Sequence, residues 1–321
     1  MRRRAFLFLA GLAAAGPFAA LARGRIPRVG FLWIGTAETI SGVTGGLEKR
    51  LAALGYTLGR DVIIDYRFAE GKPERLPALI SELLASGADI LLPQGNAAAR
   101  AARQATASVP IVTIGDDLVD MGFAASLAHP GGNVTGIDVQ AVDYRAKWLE
   151  LLKAAAPNVR RVAVLADSDE TPAVLKLEAD APRFGMTAIF LSSKPPDFDA
   201  SLAAIASGGF DGLIVNDNPS NFPRTARIAA AAGKSRTPMF LGIGAPELVA
   251  MGAVLGSSFD FVDAGMRLAD YVDKILKGEK PGDLPIQRPT KFLTVVNLKA
   301  ARSLGLTIPP EVLTIAAQVI E

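Results

Sequence analysis

Gly87-Ala88-Asp89-Ile90-Leu91-Leu92-Pro93-Gln94-Gly95-Asn96 reads as a buried strand whose last residues are polar and glycine-bearing, opening directly onto an alanine-rich helix. A near copy, Gly209-Phe210-Asp211-Gly212-Leu213-Ile214-Val215-Asn216-Asp217-Asn218, stands 122 residues later and again leads into helical sequence. Two copies of a strand that ends in an amide-rich helix start imply two similar lobes facing each other.

The flanking sequence carries the same duplication. Ahead of the first copy, residues 29–34 form an apolar run of buried-strand type, and apolar residues at 43, 47, 51 and 54 follow at helical spacing until Gly55 ends the helix. Residues 62–66 make a second strand, and Leu76, Leu79, Ile80, Leu83 and Leu84 give the next helix its apolar face. After the first copy come a helix near 97–107 and the strand 109–114. The second half repeats this order: strand 161–167, a helix capped at Thr171-Pro172 that Pro182 should shorten, strand 187–191, a helix through Phe198, Leu202 and Ile205, the copied strand, and strand 237–241. Alternating strands and helices with short connections predict α/β lobes with parallel sheets covered on both faces. A helix over 144–156, another over 259–277, an extended passage at 285–294 and a final helix connect the lobes. The implied division is 1–22 as an export signal, 23–140 plus 253–279 as the N-terminal lobe, and 141–252 plus 280–321 as the C-terminal lobe. Three hinge segments would then let the lobes close on a ligand.

At 321 residues, half of them hydrophobic, the chain can bury a core in each lobe. It has no cysteine, which excludes disulfides, thiolate metal sites and cysteine nucleophiles. Its one histidine, His129, precedes Pro130-Gly131-Gly132, the setting of a surface turn rather than of a catalytic triad. Met1-Arg2-Arg3-Arg4, an apolar stretch over 5–15 and Ala20-Leu21-Ala22 have the layout of a cleavable signal, with Arg23 the first mature residue. The order Arg3-Arg4-Ala5-Phe6-Leu7 resembles a twin-arginine signal, with an ordinary secretory signal as the rival reading. Removing Arg2, Arg3 and Arg4 takes 34 basic residues to 31 against 32 acidic, a net charge of −1, so nothing electrostatic favours nucleic acid. The mature protein is expected to be soluble, periplasmic, without a lipid anchor and monomeric.

Ligands of open parallel sheets bind beyond the carboxyl ends of the strands, where helix N-termini offer free amides. That rule selects Gly35-Thr36, Gln94-Gly95-Asn96 and Gly115-Asp116-Asp117 from the first lobe, and Asp167-Ser168, Asn216-Asp217-Asn218 and Gly242-Ile243-Gly244 from the second. Asn96 and Asn218 read equally well as helix caps, each worth about 1 kcal/mol, or as ligand contacts. Gln94 has no capping duty and is the better ligand candidate. No serine or threonine has a base nearby in sequence, and neither a Gly-x-Gly-x-x-Gly run nor an acid cluster of metal-binding spacing is present. Gly233-Lys234-Ser235 lacks the upstream glycine of a phosphate loop, since Ile228 occupies that position. No cofactor or metal is expected, and no enzymatic activity.

Several motifs carry a family resemblance: Ser126-Leu127-Ala128-His129-Pro130-Gly131-Gly132-Asn133-Val134-Thr135-Gly136, Tyr271-Val272-Asp273-Lys274-Ile275-Leu276-Lys277-Gly278, and Pro281-Gly282-Asp283-Leu284-Pro285-Ile286. With Pro289-Thr290-Lys291-Phe292, Val296-Asn297-Leu298-Lys299 and Leu304-Gly305-Leu306-Thr307-Ile308-Pro309, the chain from about 28 to 313 resembles ABC-transporter substrate-binding proteins, including tryptophan- and tyrosine-binding members. The resemblance implies a type I periplasmic-binding fold, with two Rossmann-like lobes, three crossovers, and a cleft that delivers a small solute to permease subunits in the inner membrane. The family's Gly-Asp-Pro after the fourth strand corresponds to Asp116-Asp117-Leu118, which makes Asp117 the expected partner of a ligand ammonium or hydroxyl, with helix amides holding an anionic group. Family members often read Asn-Pro where this chain has Asp167-Ser168, and carry a tyrosine near the second crossover where it has Ser257 or Ser258. A lost aromatic and a gained carboxylate suggest a more polar solute than an aromatic amino acid. A solute receptor for an ABC importer is the leading expectation. A periplasmic sensor subunit for a membrane kinase or chemoreceptor needs the same hinge, and a hydrolase would have to use His129.

Overall fold

The computed structural model describes residues 25–139, 141–167, 172–218 and 221–321. The expected signal over 1–22, Ser168 and the cap at Thr171 lie outside the described residues.

The first lobe is built on the five-stranded sheet β2-β1-β3-β4-β5: β1 (Arg28–Trp33), β2 (Ile63–Phe68), β3 (Ile90–Gln94), β4 (Ile111–Gly115) and β5 (Val134–Asp138), every pair parallel. Its strands read as continuous apolar runs because helices cover both faces. Phe31, Ile90, Leu92, Val112 and Ile137 pack with α1 (Ser41–Ala53) and α9 (Phe261–Leu276) on one face. Leu32, Leu91, Ile111 and Val134 pack with α2 (Leu76–Ala85) and α3 (Asn96–Ala105) on the other.

The second lobe has a seven-stranded sheet, β12-β11-β10-β9-β8-β6-β7. It comprises β6 (Arg161–Ala166), β7 (Thr187–Ser192), β8 (Gly212–Val215), β9 (Met239–Leu241), β10 (Leu255–Phe259), β11 (Phe292–Asn297) and β12 (Gln318–Ile320). Again the two faces are separate cores. Val162, Val164, Ile214 and Phe240 meet α4 (Ala141–Ala155) and α5 (Pro172–Asp180), while Ala163, Leu165, Leu213 and Val215 meet α6 (Phe198–Ala206) and α7 (Thr225–Ser235). The short α8 (Pro246–Val249), α10 (Leu298–Ser303) and α11 (Pro310–Thr314) complete the lobe. After α5 the chain tightens into a 3-10 turn at Ala181–Phe184, as Pro182 predicts.

Four expectations are corrected. β5 was not anticipated as a strand. β10 belongs to the second sheet and not to the first lobe, because Leu255–Phe259 pairs with β9 on one side and β11 on the other. Residues 284–287 pack on the first lobe and not the second: Leu284 and Ile286 are buried in its cores, and Gln287 bridges Ile137. The second sheet is also not wholly parallel, since β11 runs antiparallel to β10.

The chain crosses between lobes after β5, at Asp260, and between Gln287 and β11. The second and third crossings lie side by side. Phe259 is paired with Phe292, and the Asp260 amide donates to the Lys291 carbonyl at 3.0 Å. Asp260 also caps α9 through the amides of Val262 and Asp263. Beyond the cap, Asp263 binds Lys291 at 2.8 Å, and Arg267 reaches Asp263, Gln287 and Thr290. α9 lies tightly on α1: a methyl at Gly265 would stand 2.1 Å from the Val43 carbonyl oxygen, and one at Gly46 2.2 Å from that of Val262.

Candidate ligand-binding cleft

The carboxyl ends of both sheets face a cavity of about 320 Å³ between the lobes. Gln94, Gly95 and Asn96 line it from the first lobe; Asp167, Asn216, Asp217 and Asn218 line it from the second. The two halves of the sequence duplication therefore face each other across one cavity. Gly35, Thr36 and Asp117 are not among its lining residues.

Local chemistry places each group. Gly95 adopts φ 85°, which a residue with a side chain rarely takes, and turns the chain from β3 into α3. Gln94, only 1% exposed, accepts a hydrogen bond from the Ile114 amide at its Oε1 (3.1 Å), while its Nε2 has no partner in the protein. Asn96 does not cap α3, since Gly95 holds that position and Asn96 is the first helical residue. Its side-chain amide instead clasps the next strand end, donating to the Asp116 carbonyl (2.8 Å) and accepting from the Asp116 amide (2.9 Å). The amides of Asp117 and Leu118 donate to the Asp138 carboxylate (3.1 and 3.0 Å), so these donors are spent on the protein's own acid. In this turn Asp117 takes φ 50°, and it is Asp116 that lines the cavity. Burial pushes the Asp116 carboxyl up to about 6; Arg145 opposes the rise, while the carboxylates of Asp217, Asp117 and Asp138 add to it.

Gly35 and Thr36 support the wall indirectly. Trp33 lines the cavity with Thr39, and its Nε1 donates to Thr39 Oγ1 at 2.8 Å. Thr39 in turn binds the Thr36 backbone, and a methyl at Gly35 would collide with both Thr39 and Trp33 at 2.6 Å.

In the second lobe, Asp167 accepts from Ser193 Oγ (2.5 Å), which also accepts from Asn218 Nδ2 (3.2 Å). Asn218 accepts from the buried Asn221, whose side chain also ties down the Asn216 carbonyl. This amide network shapes the strand end, and Asn218 caps no helix among the described residues. Arg145, from α4, is 3% exposed. Its Nε donates to Asn216 Oδ1 (3.1 Å), its Nη2 to Asp217 Oδ1 (2.6 Å), and its guanidinium lies 5.1 Å over the Trp148 ring. Burial works against its charge, but Asp217 and Asp116 outweigh it and raise its pKa. Nη1 is left without a protein partner.

The sequence reading missed Arg145 and the aromatic walls Trp33, Phe222, Phe259 and Phe261. A signal for Arg145 was present. It stands three and four residues before Trp148 and Leu149 on the apolar face of α4, and an arginine on such a face must be paired. Near the second crossover, where a tyrosine was sought, an aromatic from α4 stands outside the cavity lining. Tyr144 stacks on Phe292 with ring centres 4.6 Å apart and hydrogen-bonds Ser257 Oγ at 2.7 Å. Trp33, Phe222, Phe259 and Phe261 thus give the cleft aromatic area beside its carboxylates. Among the described residues, no group of acids and histidine could hold a metal ion, and no helix is long and apolar enough to cross a membrane.

The sequence matches the model of one family. Its profile, described as ABC transporter substrate binding protein, matches residues 35–320. The chain belongs to that family. As a substrate-binding protein it has the type I periplasmic-binding fold, and its relatives agree. It is 24% identical over 272 residues to the tyrosine-binding protein of Clostridioides difficile (strain R20291), covering 81% of this chain and 76% of the relative. The ABC domain from Streptococcus pneumonia, solved in complex with L-Trp, superposes with a TM-score of 0.82 at 26% identity, covering 92% of this chain and all of that one. A conserved domain protein from Vibrio cholerae superposes with a TM-score of 0.82 at 28% identity over the same shares.

Proposed function

We propose that this substrate-binding protein is the extracytoplasmic, non-catalytic receptor of an ABC importer, exported by its N-terminal signal and delivering a small amino-acid-like solute to permease subunits. The observation that carries this reading is the shared cavity. Both lobes line it, its volume suits a single small molecule, and aromatic walls surround a few convergent polar groups. The relatives' names for tyrosine and L-Trp support an aromatic amino acid as the first solute to try. Trp33, Phe222, Phe259 and Phe261 supply flat apolar area; Asp116 and Asp167 supply negative charge for an ammonium. Asp116 takes the role first expected of Asp117. Solute contacts to both lobes favour the closed arrangement, which the permease would recognise. The cavity is formed within one chain, in keeping with a monomeric receptor.

A thermal-shift screen of the mature protein against the twenty amino acids, small carboxylates and sugars tests the reading. At a hundredfold excess over Kd, the solute stabilises by about 2.7 kcal/mol. A screen in which sugars raise the melting temperature and no amino acid does would reject the solute class.

A further inference from the structure

Of the side chains that line the cavity, two keep an unsatisfied buried hydrogen-bond donor: Gln94 through Nε2 and Arg145 through Nη1. A buried donor without a partner is costly, so a water molecule or a ligand is expected to meet it; Trp148 Nε1, also unpartnered, lies outside the cavity lining. Both donors are fixed by their other bonds. The Ile114 amide can only donate, so the Gln94 atom facing it is the oxygen and the free end is the NH2 group. The Arg145 guanidinium is fixed on two sides by Asn216 and Asp217, which leaves Nη1 on its remaining edge. Gln94 ends a strand of the first sheet, and Arg145 stands on a helix packed against the second.

An amide NH2 and a guanidinium N–H call for oxygen acceptors, and a carboxylate offers two in one plane. A lone anion would be opposed by the rest of the lining, where Asp116, Asp167 and Asp217 outnumber Arg145. A solute that carries an ammonium beside its carboxylate meets both demands. We propose that Gln94 and Arg145 together hold the carboxylate of the solute, one from each lobe, so that the cleft selects an amino acid over the amine left by removing its carboxylate. This rests on the amino-acid reading above and assigns the group that discriminates. It also gives closure a direct cause, since one carboxylate joins donors from two lobes.

Calorimetric titration of L-tryptophan, L-tyrosine, tryptamine and tyramine tests it. Each amine is expected to bind the wild-type protein about tenfold or more weakly than its amino acid. Gln94→Glu keeps the acceptor for the Ile114 amide and replaces the donor with a repelling oxygen; Arg145→Lys keeps a cation beside Asp217 and removes Nη1. Each variant should lose about tenfold or more in amino-acid affinity while amine affinity falls by no more than about threefold. The amine arm separates recognition from a structural role, because a loosened cleft weakens both ligands together. Equal wild-type affinity for amine and amino acid, or parallel losses in both variants, overturns the assignment and leaves the receptor reading intact. If neither these ligands nor any other of the twenty amino acids binds, both fall.

Discussion

Asp116 and Asp117 differ by one position in the chain, yet only Asp116 reaches the cavity, because the left-handed turn at Asp117 and the grip of Asp138 on two amides set the direction of each side chain. Asp116→Asn is therefore expected to weaken L-tryptophan or L-tyrosine binding by about tenfold or more, while Asp117→Gly, which suits φ 50°, stays within about threefold in the same titration. Solute binding should also depend on pH. With its carboxyl near 6, Asp116 is about one-tenth ionised at pH 5, so affinity for an ammonium-bearing solute falls about tenfold from pH 7.5 to 5 in the wild type and stays flat in Asp116→Asn. The sign for stability is opposite. Between pH 4 and 6 the folded protein holds a proton that the unfolded chain has released, so the Asp116 contribution to stability falls as pH rises through that window. Ligand-free Asp116→Asn should gain melting temperature relative to wild type at pH 8 more than at pH 5, as scanning calorimetry at both values would show. The strand ends were legible in the sequence because Gln94, Asn96, Asn216 and Asp217 follow apolar runs. Which of two adjacent acids faces the cavity was not, since a single positive φ reverses the answer. The α4 pattern marked Arg145 as needing a partner but not which one, as its partners lie 71 and 72 residues away.

The elements that were read wrongly share a composition. β5, Val134-Thr135-Gly136-Ile137-Asp138, and β10, Leu255-Gly256-Ser257-Ser258-Phe259, carry hydroxyls, glycine or an acid in places where apolar runs announce the other strands. They are buried nonetheless because tertiary partners satisfy them. Thr135 donates to the Leu284 carbonyl, Ser257 meets Tyr144 and Thr294, and Ser258 accepts from the Gly244 amide. Those partners come from distant sequence, so no local pattern reveals them. The packing of α1 on α9 has the same origin. Gly265→Ala places its methyl against the Val43 carbonyl and should cost about 1–3 kcal/mol in urea unfolding. Gly45→Ala, exposed on α1 with no atom within 4 Å of the new methyl, should instead gain up to about 1 kcal/mol from helix propensity.

For the whole molecule, the duplicated order of strands and helices was enough to predict two α/β lobes, because each lobe satisfies its own core. The passage of the chain between lobes was less legible: both return crossings come later than composition suggests, at Asp260 and after Gln287. Closure by the solute predicts a smaller radius of gyration in small-angle scattering when L-tryptophan or L-tyrosine is added at saturating concentration; an unchanged scattering curve with bound solute would count against closure. The paired exits of the second and third crossings bear on how such a movement can proceed. Phe259 and Phe292 are rungs of one ladder, and beyond it Asp263, Arg267 and Lys291 cross-link the two segments. Mechanically they form a single two-ply strap, which resists shear between its plies and bends only as a unit. With the crossing after β5 as the second support, closure as proposed would follow a door hung on two mounts, with one rotation favoured over sliding and free twisting.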